Sequence, residues 1–252
     1  MRRDWCIPSI MWTATALASE VYPARELVWR VVEHQHTAST RKLVGTHAEQ
    51  ALLESLLETS KPPFPPGAEK LHYLLKTPFR YYPPNPYGSR FRRAGSLNGA
   101  FYASLEKRSA MAEMAYYRLR FFQDAPDCPL PKQEHKLTAF SVQYQTEREI
   151  NLQRAPFVND KNKWIHPTDY SATQAVAELA REANIDSIRY QSVRDPQHGS
   201  NIALLTFTAF TSKSPKQEQT WYMHFSDREV LAIRPSSIED KESYLFQKAV
   251  LI

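Results

Sequence analysis

The placement of proline constrains this chain more than any other feature. Residues Lys61–Gly67 read KPPFPPG, four prolines in seven positions. Each proline lacks an amide donor and disfavours helix in the residue before it, so no helix passes through this segment. It divides the sequence into residues 1–66, expected to be a mainly helical extension, and residues 67–252, expected to be the principal domain. Within the extension, Glu26–Thr59 mixes polar and apolar residues in a manner that suits helix, with Thr46 as an N-cap ahead of Ala48–Leu57. The apolar side chains of such helices need a surface to cover, which sets the extension against the main body.

A second proline-rich stretch, Lys76–Gly99, reads as loop and short extended structure. It carries Arg80, Arg90, Arg92 and Arg93 among tyrosines. Such a cluster suits a nucleic-acid surface, the surroundings of one phosphorylated small molecule, or a plain solvated face. Beyond it, Ala100–Ala103 is expected to be a short buried strand, with Ser104 capping a helix that runs to about Phe122. On that helix Met111, Ala115, Leu119 and Phe122 recur at helical spacing and should face the core. Lys136–Gln145 alternates as a strand, and Tyr170–Asn184 is a second amphipathic helix. Ser187–Tyr190, Asn201–Phe210, Thr220–Phe225 and Glu229–Arg234 read as further strands. Their connections vary too much for regular βαβ winding, so the expected class is α+β.

Several function classes are excluded by what the sequence lacks. The charge balance, 32 − 27 = +5, is spread along the chain rather than gathered into a basic arm. Cys6 and Cys128 are the only cysteines, which excludes a disulfide scaffold or a cysteine zinc site. Met1-Arg2-Arg3 followed by Cys6–Ala18 imitates a secretion signal, but Asp4 and Pro8 break the pattern. A cytoplasmic protein without a membrane span is therefore expected. The eight histidines form no HExxH or HxxxH pair, and GxGxxG, GxxxxGK[ST] and GxSxG are all absent.

Glu113 is the most informative residue. It is the one charged side chain in Ser109–Tyr117 (SAMAEMAYY). A buried carboxylate is costly unless paired, so such a group forms a salt bridge, points outward, or performs chemistry. Tyr102 lies on the strand feeding that helix, where it is either a core tyrosine or a second member of one cleft. Ser192 and Arg194 follow a strand and suit contact with an anion or ribose, or simply build a turn with Asp195. His166 and Asp169 precede the second helix, where Asp169 can serve as no more than a cap.

The run Gly88–Tyr102 followed by Ala110–Glu113 resembles the RES domain, as do His166–Tyr170, Ile188–Pro196 and Asn201–Leu205. The resemblance covers about residues 75–212. It implies a bacterial toxin, usually encoded beside an Xre-type antitoxin, with a fold similar to ADP-ribosyltransferases. Such toxins consume NAD as hydrolases, as phosphorylases, or by transferring ADP-ribose to a protein. Carried over by position, the family's acidic residue is Glu113, its tyrosine Tyr102 and its serine Ser192. The resemblance offers Arg80 as the arginine of the first strand and Arg90 as that of a Gly-Ser-Arg-Phe block, where the family usually has Gly-Gly-Arg-Trp. Tyr81 and Asn201 are added as substrate-binding residues. In this reading Glu113 stabilises the oxocarbenium-like ribose, Arg80 or Arg90 holds phosphate, Tyr102 stacks on nicotinamide or ribose, and Ser192 bonds ribose or amide. NAD or NADP is then substrate, no separate cofactor or metal is needed, and nucleic acid is met only through the antitoxin. The alternatives are a protein-modifying ADP-ribosyltransferase, a basic RNA-binding or RNA-degrading module, and a non-catalytic interaction protein.

Overall fold

A computed structural model describes residues 12–34, 43–59, 63–80, 88–125, 129–131, 133–235 and 242–251. A short helix, α1 (Ala14–Ser19), is capped by the Thr13 hydroxyl and leads into strand β1 (Tyr22–Glu33). Helices α2 (His47–Thr59) and α3 (Tyr73–Lys76) follow. The chain then runs through β2 (Phe101–Ser104), α4 (Lys107–Asp124) and the long β3 (His135–Asn151). Next come α5 (Lys161–Trp164), α6 (Ser171–Glu182), β4 (Ser187–Gln191) and β5 (Ser200–Leu204). It closes with β6 (Gln217–Phe225), β7 (Glu229–Arg234), β8 (Glu242–Gln247) and α7 (Lys248–Leu251). The class is α+β.

The eight strands form one sheet in the order β1–β2–β5–β4–β3–β6–β7–β8, and β1 also pairs with β3. The first five strands therefore close a circuit, with no free edge between them to template wrong pairing. β3 makes this possible by its length: it bonds β1 over most of its course, β6 through its first half and β4 at its end. Among the described residues only the β3–β4 pair is parallel, and α5 and α6 supply the crossover such a pair needs. At this junction the Glu149 carboxylate is 0% exposed, yet fully answered. Tyr22, Tyr144 and Ser187 hydroxyls donate to it at 2.6, 2.5 and 2.8 Å, and Arg189 Nε at 2.8 Å. That network ties three strands together and is structural.

Apolar side chains fall into three clusters. One lies between α6 and the β4–β5 strands, a second between α4 and the β6–β7–β8 side, and a third is centred on Phe101, Phe140, Val142 and Leu204. Among the described residues no helix is long and apolar enough to cross a membrane.

Three expectations are corrected. Residues 26–33 are strand, not helix, so this part of the N-terminal segment belongs to the sheet: β1 lies between β2 and β3. Ser104 ends β2 and caps nothing, because its Oγ donates to Asn201 Oδ1 at 2.6 Å; α4 begins at Lys107 instead. The strand expected over 201–210 stops at Leu204, where Thr206 bonds the amide of Thr208 and starts a 3₁₀ turn. Thr46 does cap α2, and Glu49 returns the bond to the amides of Gly45 and Thr46.

Candidate active site

A cavity of about 440 Å³ opens where β1, β2 and α4 meet the loop at Gly88–Arg90. The size is typical of a site for a small organic ligand. Its wall combines Trp29 and Arg30 of β1, Tyr102 of β2, Glu113 and Tyr117 of α4, and Asn201 of β5, with Arg90, Tyr170 and Arg194 closing the rim.

Glu113 sits on the inward face of α4, one turn beyond Ala110, and is held from behind. Ser192 Oγ donates to its Oε1 at 2.8 Å and Asn201 Nδ2 to the same oxygen at 2.7 Å. Asn201, 1% exposed, is itself fixed by Ser104. Ser192 is 0% exposed and does not line the cavity. Its oxygen also accepts the amides of Arg194 and Asp195, at 3.3 and 3.1 Å, so it builds the turn after β4 as well as orienting Glu113. Among the described residues nothing bonds Glu113 Oε2. One carboxylate oxygen is anchored and the other is available to a ligand.

Tyr102 organises the opposite wall. Its hydroxyl accepts the amide of Phe91 at 3.0 Å and shares a 2.8 Å bond with Ser89 Oγ, which pins the Gly88–Phe91 loop to β2. Burial pushes the Tyr102 phenol up from its ordinary value, so it is neutral at physiological pH. Gly88 adopts φ +65, and a Cβ there would stand 2.5 Å from the Arg92 carbonyl. The loop's return therefore requires glycine at that position.

Three guanidiniums line the same cavity as the carboxylate. Arg90 donates to the Trp164 carbonyl at 2.8 Å and lies 4.6 Å from the Tyr170 ring centre. Arg194 donates to the Pro167 carbonyl and stacks 3.5 Å over Tyr116. Arg30 donates to the Tyr102 carbonyl at 2.9 Å, and burial pulls its guanidinium down to about 10, still charged at neutral pH. Cations this well positioned make a site for an anion with several oxygens.

The residues expected from the sequence thus divide. Glu113, Tyr102, Arg90 and Asn201 are brought together at the cavity. Ser192 stands behind Glu113 rather than in contact with the cavity. Arg80 does not line this cavity: its guanidinium pairs with Glu58 and covers the Phe64 ring at 4.4 Å. The first strand, β1, carries Arg25 and Arg30, and of these Arg30 lines the cavity. Tyr81 lies outside the described residues. His166 Nδ1 accepts the amides of Thr168 and Asp169, and Asp169 accepts that of Ser171, so both build the turn into α6. Trp29, Arg30, Tyr117 and Tyr170 escaped the sequence reading, and the run Val28-Trp-Arg-Val-Val32 was the signal that could have revealed the first two. Among the described residues no group of three or more His, Cys, Asp or Glu side chains is arranged to hold a metal ion.

Comparison with known proteins matches residues 65–226 of this chain to the RES domain model. Among solved structures, the M. tuberculosis MbcT–MbcA toxin–antitoxin complex is similar, with a TM-score of 0.48 and 12% identity over 81% of this chain and 89% of that one. No curated protein sequence matches.

Proposed function

We propose that this chain, which belongs to the RES domain family, is the toxin of a toxin–antitoxin pair and cleaves NAD or NADP at the nicotinamide–ribose bond. The observation that carries the reading is Glu113, anchored through Oε1 and unbonded at Oε2 among the described residues, in one cavity with Arg30, Arg90 and Arg194. The pyrophosphate of a dinucleotide matches the three guanidiniums in charge and in its array of oxygens. Glu113 then faces the sugar bearing nicotinamide.

As the bond from C1′ to the pyridinium nitrogen breaks, its electron pair leaves with nicotinamide and positive charge develops on the ribose. A fixed carboxylate stabilises that charge without reorganising. Its second oxygen also accepts a ribose hydroxyl bond. Water attacking C1′ gives ADP-ribose and a proton; phosphate would give a phosphorylated product, and a protein side chain an ADP-ribosylated one. Nicotinamide is already a cationic leaving group, so the step needs no separate acid. Family membership makes an Xre-type antitoxin the expected partner.

An RNA-directed role loses its main support. Arg90 and Arg92 are buried, Arg80 pairs with Glu58, and Arg93 pairs with Glu178 at 2.5 Å. The four arginines present no shared face to a nucleic-acid backbone.

The test is nicotinamide release from NAD by purified protein, with and without added phosphate or lysate, beside Glu113→Gln. Release by the wild type, reduced at least ~10³-fold in the variant with an unchanged melting temperature, supports the reading. Equal release by the variant overturns the role of Glu113. No release under any condition overturns the NAD-cleaving function.

A further inference from the structure

Trp29 lines the cavity, and what lies over its ring is unusual. The Lys107 ammonium lies 4.5 Å from the Trp29 ring centre and 5.7 Å from that of Trp221, yet Lys107 does not line the cavity. Both oxygens of Glu242 hold the ammonium, at 2.9 and 2.8 Å. Glu242 opens β8 and is fixed in turn by the Tyr244 hydroxyl at 2.6 Å. Tyr244 stacks on Trp221 with an interplanar angle of 7°. Strands β7 and β8 lie beyond the residues matched to the RES domain. This chain's C-terminal hairpin therefore reaches α4 and, through Lys107, braces one residue of the cavity wall.

An indole locked in this way offers a flat, rigid surface to a ligand ring. Its neighbour supplies the ring's identity. A cation over an aromatic ring draws electron density toward itself, so the ring's remaining surface favours an electron-rich, neutral partner over a cationic one. A dinucleotide has one ring of each kind: adenine is neutral and electron-rich, whereas nicotinamide is a pyridinium. The pyridinium must lie by Glu113, where its bond breaks, and the pyrophosphate between the rings suits the guanidiniums that line the cavity.

We infer that Trp29 is the stacking platform for the adenine base, and that Lys107 and Glu242 are positioning residues which hold the indole and set its preference. The inference rests on the proposed NAD reading. It orients the dinucleotide in the cavity and gives the β7–β8 hairpin a role in substrate choice.

The experiment measures binding of ADP-ribose, which keeps adenine, and of nicotinamide mononucleotide, which lacks it. Calorimetry is done on the Glu113→Gln background so that neither ligand is consumed. Trp29→Leu should weaken ADP-ribose at least ~10-fold, the size of one lost base stack, and move nicotinamide mononucleotide less than twofold. Trp29→Tyr should restore most of the loss. Glu242→Gln should weaken ADP-ribose selectively and to a smaller extent. Equal losses for both ligands in Trp29→Leu, or none for either, overturn the adenine assignment while leaving NAD cleavage standing. Failure of the background protein to bind either ligand removes the NAD reading itself.

Discussion

Two donors on one carboxylate oxygen give a sharp separation of effects at the residue scale. Asn201 acts on Glu113 and receives from Ser104, whereas Ser192 also closes the turn to Asp195. A hydrogen bond to a charged group contributes ~1.5–3 kcal/mol, and each ~1.4 kcal/mol in a barrier is a tenfold rate. Asn201→Ala should lower kcat for nicotinamide release ~10–100-fold with little change in KM. Ser192→Ala should match that rate loss and, by stranding two turn amides, also lower the melting temperature by several degrees. Steady-state kinetics and calorimetry on both variants check this; a rise in KM alone would contradict the positioning role. Arg30 adds a pH signature. Burial holds its folded pKa at about 10, below the ordinary arginine value, so the charge that the proposed phosphate contact needs is present below pH 10 and fades above it. Affinity for ADP-ribose should fall as pH rises through 10, and Arg30→Met should remove that limb. By the same sign, burying the charged Arg30 costs stability below pH 10, and that cost is relieved as pH rises from 10 toward the ordinary arginine value, where the unfolded chain still holds the proton. Glu113 was legible in the sequence because a lone carboxylate on an apolar helix breaks a rule. The role of Ser192 was not, because only the fold reveals that it faces the carboxylate and not the cavity.

β1 marks the limit of sequence reading at the scale of elements. Glu26, Arg30 and Glu33 recur at i, i+4 and i+7, the spacing of a polar helix face. The β-branched Val28, Val31 and Val32 argue for strand, and the pairing with β3 decides the matter. A propensity is worth tenths of a kcal/mol per residue, whereas a strand inserted between two others settles a dozen backbone hydrogen-bonding groups at once. Helices α4 and α6 were readable because amphipathic spacing alone specifies them, and β3, β4, β6 and β7 because they alternate or are short apolar runs. β1 has a direct consequence for domain limits. A fragment covering residues 67–252 would lack β1, opening the β2 and β3 edges and exposing Phe101 and Phe140. It should be insoluble or show no cooperative melting transition, while the full chain melts sharply. A stably folded fragment would show that residues 1–66 are the separable extension the prolines suggest.

For the molecule as a whole, the closed strand circuit and the cavity on its wall couple stability to ligand. The charged side chains lining the cavity are three guanidiniums and one carboxylate, with Arg90 and Arg194 8% and 7% exposed. Holding like charges together out of water is unfavourable, and the empty protein bears that cost. A pyrophosphate supplies two negative charges against the guanidiniums, and the nicotinamide cation one positive charge against Glu113. The proposed dinucleotide thus offers a charge of opposite sign to each kind of charged group in the site. Binding to the folded state alone at a hundred times Kd stabilises by ~2.7 kcal/mol, and a chain of this length melts ~2–4 °C higher per kcal/mol. ADP-ribose should therefore raise the melting temperature of the wild type by ~5–10 °C in a single transition. Arg30→Met removes one of the confined charges, so its ligand-free form should melt no lower than the wild type, and ADP-ribose should shift it by less than half as much. A ligand-free variant that melts lower while keeping the full ligand shift would make Arg30 a structural cation, and would leave Arg90 and Arg194 to hold the anion.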